Sequence, residues 1–215
     1  MSPSAQALFL HGRIPLAVFA SGGGSNAEAI IHYAFRTTTK FAVNLLVSNN
    51  SQCGAMHLAT MFDIPTFHIS TKTHPDAHSY NTALLQALNE HHIGMIALAG
   101  YMKKLPDALI HAFSPKGQPR VFNIHPALLP KFGGEGMYGI NVHEAVLAAG
   151  EAESGCTVHE VSNDYDTGTI IAQKTVPVHH TDTPQTLAAR VLEWEHQLYP
   201  EILHQKSLEI ASGTL

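Results

Sequence analysis

Apolar and polar positions along this chain switch repeatedly between two periods. Residues 16–20 form a short, wholly apolar run, the pattern of a strand buried on both faces. A glycine-rich stretch follows at 21–26, then a helix-like run at 27–35. The alternation repeats, with strands at 41–47, 66–69 and 93–99 and helices at 53–62 and 76–91. Pro75 and Asp76 mark the start of the second of these helices. Apolar strands separated by helices predict an α/β fold: a doubly wound, Rossmann-like, mostly parallel sheet with right-handed crossovers.

The pattern changes in the second half. Residues 121–125 read as a buried strand that stops at Pro126, because proline cannot donate to a central ladder. Residues 132–139 are a glycine-rich loop, and 143–150 a helix ending at a glycine. The stretch 155–161 alternates, 162–168 is a turn with two carboxylates, and 169–174 returns as a strand. Strand, turn and strand make a hairpin, so an antiparallel strand is expected toward the C-terminal part of the sheet. Residues 1–14 read as an N-terminal extension to one domain spanning 15–215.

Composition narrows the options. The chain has 215 residues, 45% hydrophobic and 13% charged, which suits one globular domain with a substantial core. A formal charge of -5 argues against a general nucleic-acid binder. No run approaches the ~18 apolar residues of a membrane span. Cys53 and Cys156 lie far apart without a CxxC partner, so a reducing, cytoplasmic setting is expected rather than a disulfide framework. Sixteen histidines include no HExxH pair or similar spacing, so no metal site is expected.

Three stretches carry candidate chemistry. Asn123 and His125 stand two apart on a strand, hence on one face, at the carboxyl end where open α/β sheets place their sites. By spacing alone, this is equally a strand-ending histidine bonded to a neighbouring loop. The loop Gly22-Gly23-Gly24 permits tight turning and leads into a helix start, where free amides favour an anion. It lacks the GxGxxG and GK[ST] signatures, which points to a phosphate monoester rather than a dinucleotide or nucleoside triphosphate. A turn that binds nothing is the alternative. Tyr101, Met102 and Leu105 suit either a groove for a flat aromatic ligand or the core side of the next helix. Lys103 and Lys104 read as solvated charges.

Taken in order, Ser-Gly-Gly-Gly-Ser-Asn at 21–26, Leu-Ala-Gly-Tyr-Met at 98–102, Asn-Ile-His-Pro-Ala-Leu-Leu-Pro at 123–130, Asp-Tyr-Asp-Thr-Gly at 164–168 and Glu-His-Gln-Leu-Tyr-Pro at 195–200 form a recognisable set. The chain resembles the phosphoribosylglycinamide formyltransferase family, folate-dependent enzymes of purine synthesis, over about residues 15–205. The resemblance implies formyl transfer from 10-formyltetrahydrofolate, as co-substrate, to the amine of glycinamide ribonucleotide, without a metal. It places the catalytic trio on Asn123, His125 and Asp166, with Asn123 and a protonated His125 stabilising an oxyanion. Asp166 would orient His125 and assist proton transfer. Substrate phosphate would meet Gly23, Gly24, Ser25 and Asn26, and Glu195 would lie near the substrate's amine. Folate would lie against Met102, Lys103, Lys104, Leu105 and Asn123, with the segment at Asp164 closing over the pterin. Residues of about 15–100 would thus form a phosphate-binding half and about 100–205 a folate and catalytic half. A monomer or weak homodimer acting on small molecules, with no nucleic-acid or membrane partner, is the corresponding expectation.

Spacing does not separate Asp164 from Asp166, since both face one way in an extended turn. The sequence also departs from the family pattern. Gly23 stands where many relatives carry Asn. Residues 72–78 lack an expected arginine, with Lys72, His74 or His78 as substitutes, and the loop at 133–139 is long. Formyltetrahydrofolate hydrolases resemble the catalytic half but are expected to carry a regulatory domain. Methionyl-tRNA formyltransferases would need a tRNA-binding domain. A non-catalytic nucleotide-binding module would not need Asn123, His125 and Asp166 together.

Overall fold

A computed structural model describes residues 12–213. The expectation for residues 1–11 lies outside the described residues. Five parallel strands are β1 (Ile14–Phe19), β2 (Phe41–Ser48), β3 (Thr66–His68), β4 (Met95–Leu98) and β5 (Val121–His125). A hairpin adds β6 (Glu153–Glu160) and β7 (Ile170–Pro177). The sheet order is β3-β2-β1-β4-β5-β6-β7, with β6 antiparallel to both neighbours. The expected mostly parallel sheet with its antiparallel strand is therefore present. Ile14 belongs to β1 rather than to the extension, and Arg13 is fixed by donating to the carbonyls of Ala34 and Arg36.

The helices are α1 (Ser25–Ala34), α2 (Gly54–Met61), α3 (Ala77–Glu90), α4 (Asp107–Ala112), α5 (Ile140–Ala148) and α6 (Pro184–Ser212). Strand alternation sends side chains to two cores. Ile14, Leu16 and Val18 join a core with α1, α2 and α6, while Ala17 and Phe19 join another with α3 and α4. Burial on both faces is why the central strands read as continuous apolar runs.

Local signals set the ends of these elements. Asp76 caps α3 by accepting the Ser79 amide at 2.8 Å. α5 begins three residues before its expected start at 143, because Gly139 takes a positive φ of 57° and turns the chain into the helix earlier. His143 therefore lies within the helix and is buried. α6 opens with a capping box at Thr183 and Thr186 and runs for 29 residues through Pro200. Tyr199 of α6 donates its hydroxyl to the Phe122 carbonyl at 2.9 Å, fixing β5 from one face.

Candidate active site at the carboxyl ends of the central strands

Asn123 and His125 project from one face of β5, and both reach the Asp166 carboxylate. Asp166 lies in the β6–β7 connection with a positive φ of 55°, which turns its side chain inward. Asp164 in the same turn is exposed. The turn is not extended at Asp166, and of the two carboxylates it is Asp166 that reaches Asn123 and His125.

Asp166 Oδ2 accepts the Gly134 amide at 2.9 Å and lies 3.5 Å from His125 Nδ1. Its Oδ1 lies 3.5 Å from Asn123 Nδ2 and 3.4 Å from His159 Nε2. Burial by itself would raise this carboxyl. His159, the His125 charge and the Gly134 amide outweigh it, holding Asp166 below the usual carboxylate range.

His125 is fixed from its other side. Its Nε2 lies 2.7 Å from the Phe132 carbonyl, an acceptor only, so Nε2 carries the proton and donates. A second proton then enters at Nδ1, facing Asp166. Burial lowers the His125 pKa, against opposing pulls from Asp166 and Phe132. Desolvation thus works against the expected protonated His125, and the Asp166 carboxylate works for it.

His159 is a site member that the motif reading did not single out. It stands opposite Asn123 in the β5–β6 register. Its Nδ1 donates to the Glu160 carbonyl at 2.8 Å, and its Nε2 lies 3.0 Å from Asn123 Nδ2 as well as 3.4 Å from Asp166 Oδ1. The signal available in sequence was its place in the alternation of β6, next but one to Thr157. Thr157 itself braces the loop after β5, donating to the Ala127 carbonyl at 2.6 Å and accepting the Leu129 amide at 3.1 Å.

The glycine loop sits at the end of β1, two strands from β5. Gly24 caps α1 with φ 91°, and a Cβ there would meet Ala55 Cα at 2.8 Å. Gly23 and Ser25 are exposed. Asn26 is committed elsewhere, donating to Glu195 Oε2 at 2.6 Å, so Asn26 offers an anion its backbone amide rather than its side chain. Burial lifts the Glu195 carboxyl above its ordinary range, partly countered by Asn26.

Residues 102–105 form a loop between β4 and α4. Met102, Lys103 and Lys104 are exposed, whereas Leu105 is buried in the core beneath α4. Lys103, Lys104 and Leu105 wall two adjoining spaces. One is a small cavity of about 50 Å³ that also touches Asn123, His159, Asp164 and Asp166. The other is a cleft of about 1070 Å³ bounded by Asn49, His68, Lys72, His74 and Tyr80 among others. Of the three substitutes for the expected arginine, Lys72 and His74 line this cleft and His78 does not.

Among the described residues, no group of three or more His, Cys, Asp or Glu is placed to share a metal ion. Among them, too, no helix is long and apolar enough to cross a membrane.

A carboxylate of the β6–β7 connection is thus tied to an amide and two imidazoles at the end of β5, with the glycine loop two strands away along the same sheet edge. The formyl transferase family profile matches residues 14–203. The chain belongs to the formyl transferase family. It is similar to the phosphoribosylglycinamide formyltransferase of Bacillus subtilis, with 37% identity over 88% of this chain and 92% of that one. The chloroplastic phosphoribosylglycinamide formyltransferase of Vigna unguiculata is 45% identical over 89% of this formyl transferase. The chain spans 60% of the length of that relative and 64% of its Arabidopsis thaliana counterpart. The crystal structure of the Bacillus halodurans phosphoribosylglycinamide formyltransferase superposes with a TM-score of 0.80 at 35% identity, covering 89% of this chain and 94% of that one.

Proposed function

We propose that this formyl transferase moves a formyl group from 10-formyltetrahydrofolate to the primary amine of glycinamide ribonucleotide. The products are formylglycinamide ribonucleotide and tetrahydrofolate, and the step belongs to purine biosynthesis. The observation that carries the reading is the convergence of Asn123, His125 and His159 on Asp166, at the same sheet edge as a loop suited to a phosphate monoester.

The chemistry follows from the donors. Attack of the amine on the formyl carbon places negative charge on the formyl oxygen. The Asn123 amide and His125 Nδ1 are the groups that would donate to it. Removing one such donor typically costs ~3–4 kcal/mol of transition-state stabilisation. Phe132 fixes the Nε2–H form of His125, so the proton that makes His125 a donor enters at Nδ1 from solvent before attack, and Asp166 stabilises that imidazolium. Asp166 then assists transfer of the proton lost by the amine toward the departing folate nitrogen.

The amides of Gly23, Gly24, Ser25 and Asn26 would hold the substrate phosphate at the start of α1. Glu195 would lie toward the amine end of that substrate. Met102, Lys103, Lys104 and Leu105, with Asn123 and Asp164, would hold folate. This divides the single domain into a phosphate-binding half and a folate and catalytic half. We further place the protein in the cytoplasm, as a monomer or weak homodimer without nucleic-acid or membrane partners. Its two cysteines are buried free thiols, as a reducing compartment allows.

The test is thermal stability in the presence of each ligand. Glycinamide ribonucleotide and tetrahydrofolate should each stabilise the protein by ~2.7 kcal/mol at a hundredfold excess over Kd. Stabilisation by a dinucleotide, with no response to either of these, would instead favour a non-catalytic nucleotide-binding module.

A further inference from the structure

Ser21, the second residue beyond β1, is buried and is not among the residues assigned to either substrate. Its hydroxyl donates to Asn49 Oδ1 at 2.5 Å, beyond the end of β2. The same oxygen accepts the Met102 amide at 2.9 Å, beyond the end of β4. Its own amide donates to the Gly100 carbonyl at 3.1 Å. One serine thus ties together the loops that leave three neighbouring strands. The tie to β4 matters most, because Met102 directly precedes Lys103, Lys104 and Leu105, the wall shared by the small cavity at Asn123 and the large cleft. On its other side Ser21 leads straight into Gly22, whose carbonyl accepts the Ala55 amide at 3.2 Å, so the glycine loop has its own anchorage on α2.

We propose that Ser21 is a positioning residue for the formyl donor: its hydroxyl holds the Met102 amide and thereby sets the position of the 102–105 wall. The assignment rests on the functional reading above. Ser21 acts through Met102 and not on the reacting atoms. Its loss therefore affects donor binding selectively, since the glycine loop retains its backbone and its bonds to α2.

The experiment compares wild-type protein with Ser21→Ala, Ser21→Cys and Ser21→Thr. Ser21→Ala leaves the Met102 amide without its buried acceptor. Its KM for 10-formyltetrahydrofolate should rise about tenfold, with kcat and the KM for glycinamide ribonucleotide within about twofold of wild type. Ser21→Cys keeps the shape but offers a weak acceptor, and should show a smaller rise in the same KM. Ser21→Thr restores the hydroxyl and should return that KM to within about twofold. Hydrogen exchange at the Met102 amide, followed by NMR, supplies a readout independent of turnover and should quicken in Ala and Cys but not in Thr. An unchanged donor KM in Ala and Cys, an equal rise in both KM values, or failure of Thr to restore the donor KM would each overturn the proposal. If wild-type protein transfers no formyl group, the functional reading fails, and amide exchange still decides whether Ser21 holds the loop.

Discussion

Replacing Asp166 by Asn tests the site where its charges are closest. The substitution keeps the side chain's shape, and an amide oxygen can still accept the Gly134 N–H now bonded at 2.9 Å. What disappears is the charge 3.5 Å from His125 Nδ1. At an effective dielectric of about 20, a full charge pair at that separation is worth about 5 kcal/mol. The Asp166 side chain is 10% exposed, so solvent screening and reorientation remove part of this. A loss of roughly 3–4 kcal/mol in the transition state is the expected remainder, equivalent to a fall in kcat of about 10²- to 10³-fold. The assay is steady-state formyl transfer at saturating substrates, with circular dichroism and thermal denaturation as checks on folding. Turnover within about fivefold of wild type in a folded Asp166→Asn protein would refute the carboxylate's assigned part.

Other substitutions probe the frame around the site. Burial, and then the His125 charge, push the His143 pKa down to about 4 from an ordinary value of 6.5. Below pH 6.5 the unfolded chain takes up a proton that the folded chain refuses. Stability therefore falls as pH drops toward 4, by roughly 3 kcal/mol for this residue alone. His143→Phe should flatten stability between pH 6.5 and 4, measured by urea unfolding, and an unchanged slope would contradict the argument. Gly24→Ala should raise the KM for glycinamide ribonucleotide about tenfold or more, because its Cβ would stand 2.8 Å from Ala55 Cα at a φ of 91°. Gly155→Ala should destabilise the protein by about 3 kcal/mol or more, since its Cβ would overlap the Lys174 carbonyl and part β6 from β7. Thermal denaturation decides that point, and a wild-type Tm would count against it.

The sheet was legible because its central strands are buried on both faces and bounded by glycine, proline and capping residues. Asn123 and His125 were legible for the same reason: a polar pair at the end of an apolar strand stands out. Other parts of the site depend on relations that one sequence does not display. Spacing leaves Asp166 level with Asp164, and the resemblance alone favours Asp166; the structure adds a left-handed backbone turn at this non-glycine residue. His159 enters by pairing opposite Asn123 across an antiparallel ladder whose register cannot be counted from spacing. The Asn26–Glu195 bond joins residues 169 positions apart, and it changes the part Asn26 can play at the glycine loop. Burial lowers the His125 pKa against the pull of Asp166, and the extent of that burial cannot be read from spacing.

The central claim is that this chain passes a formyl group to an amine. It is tested by following 10-formyltetrahydrofolate consumption by the purified protein with and without glycinamide ribonucleotide. The account predicts that consumption depends on the amine, with one formylglycinamide ribonucleotide formed per tetrahydrofolate. Equal consumption without the amine, releasing formate, would contradict it and identify a formyltetrahydrofolate hydrolase.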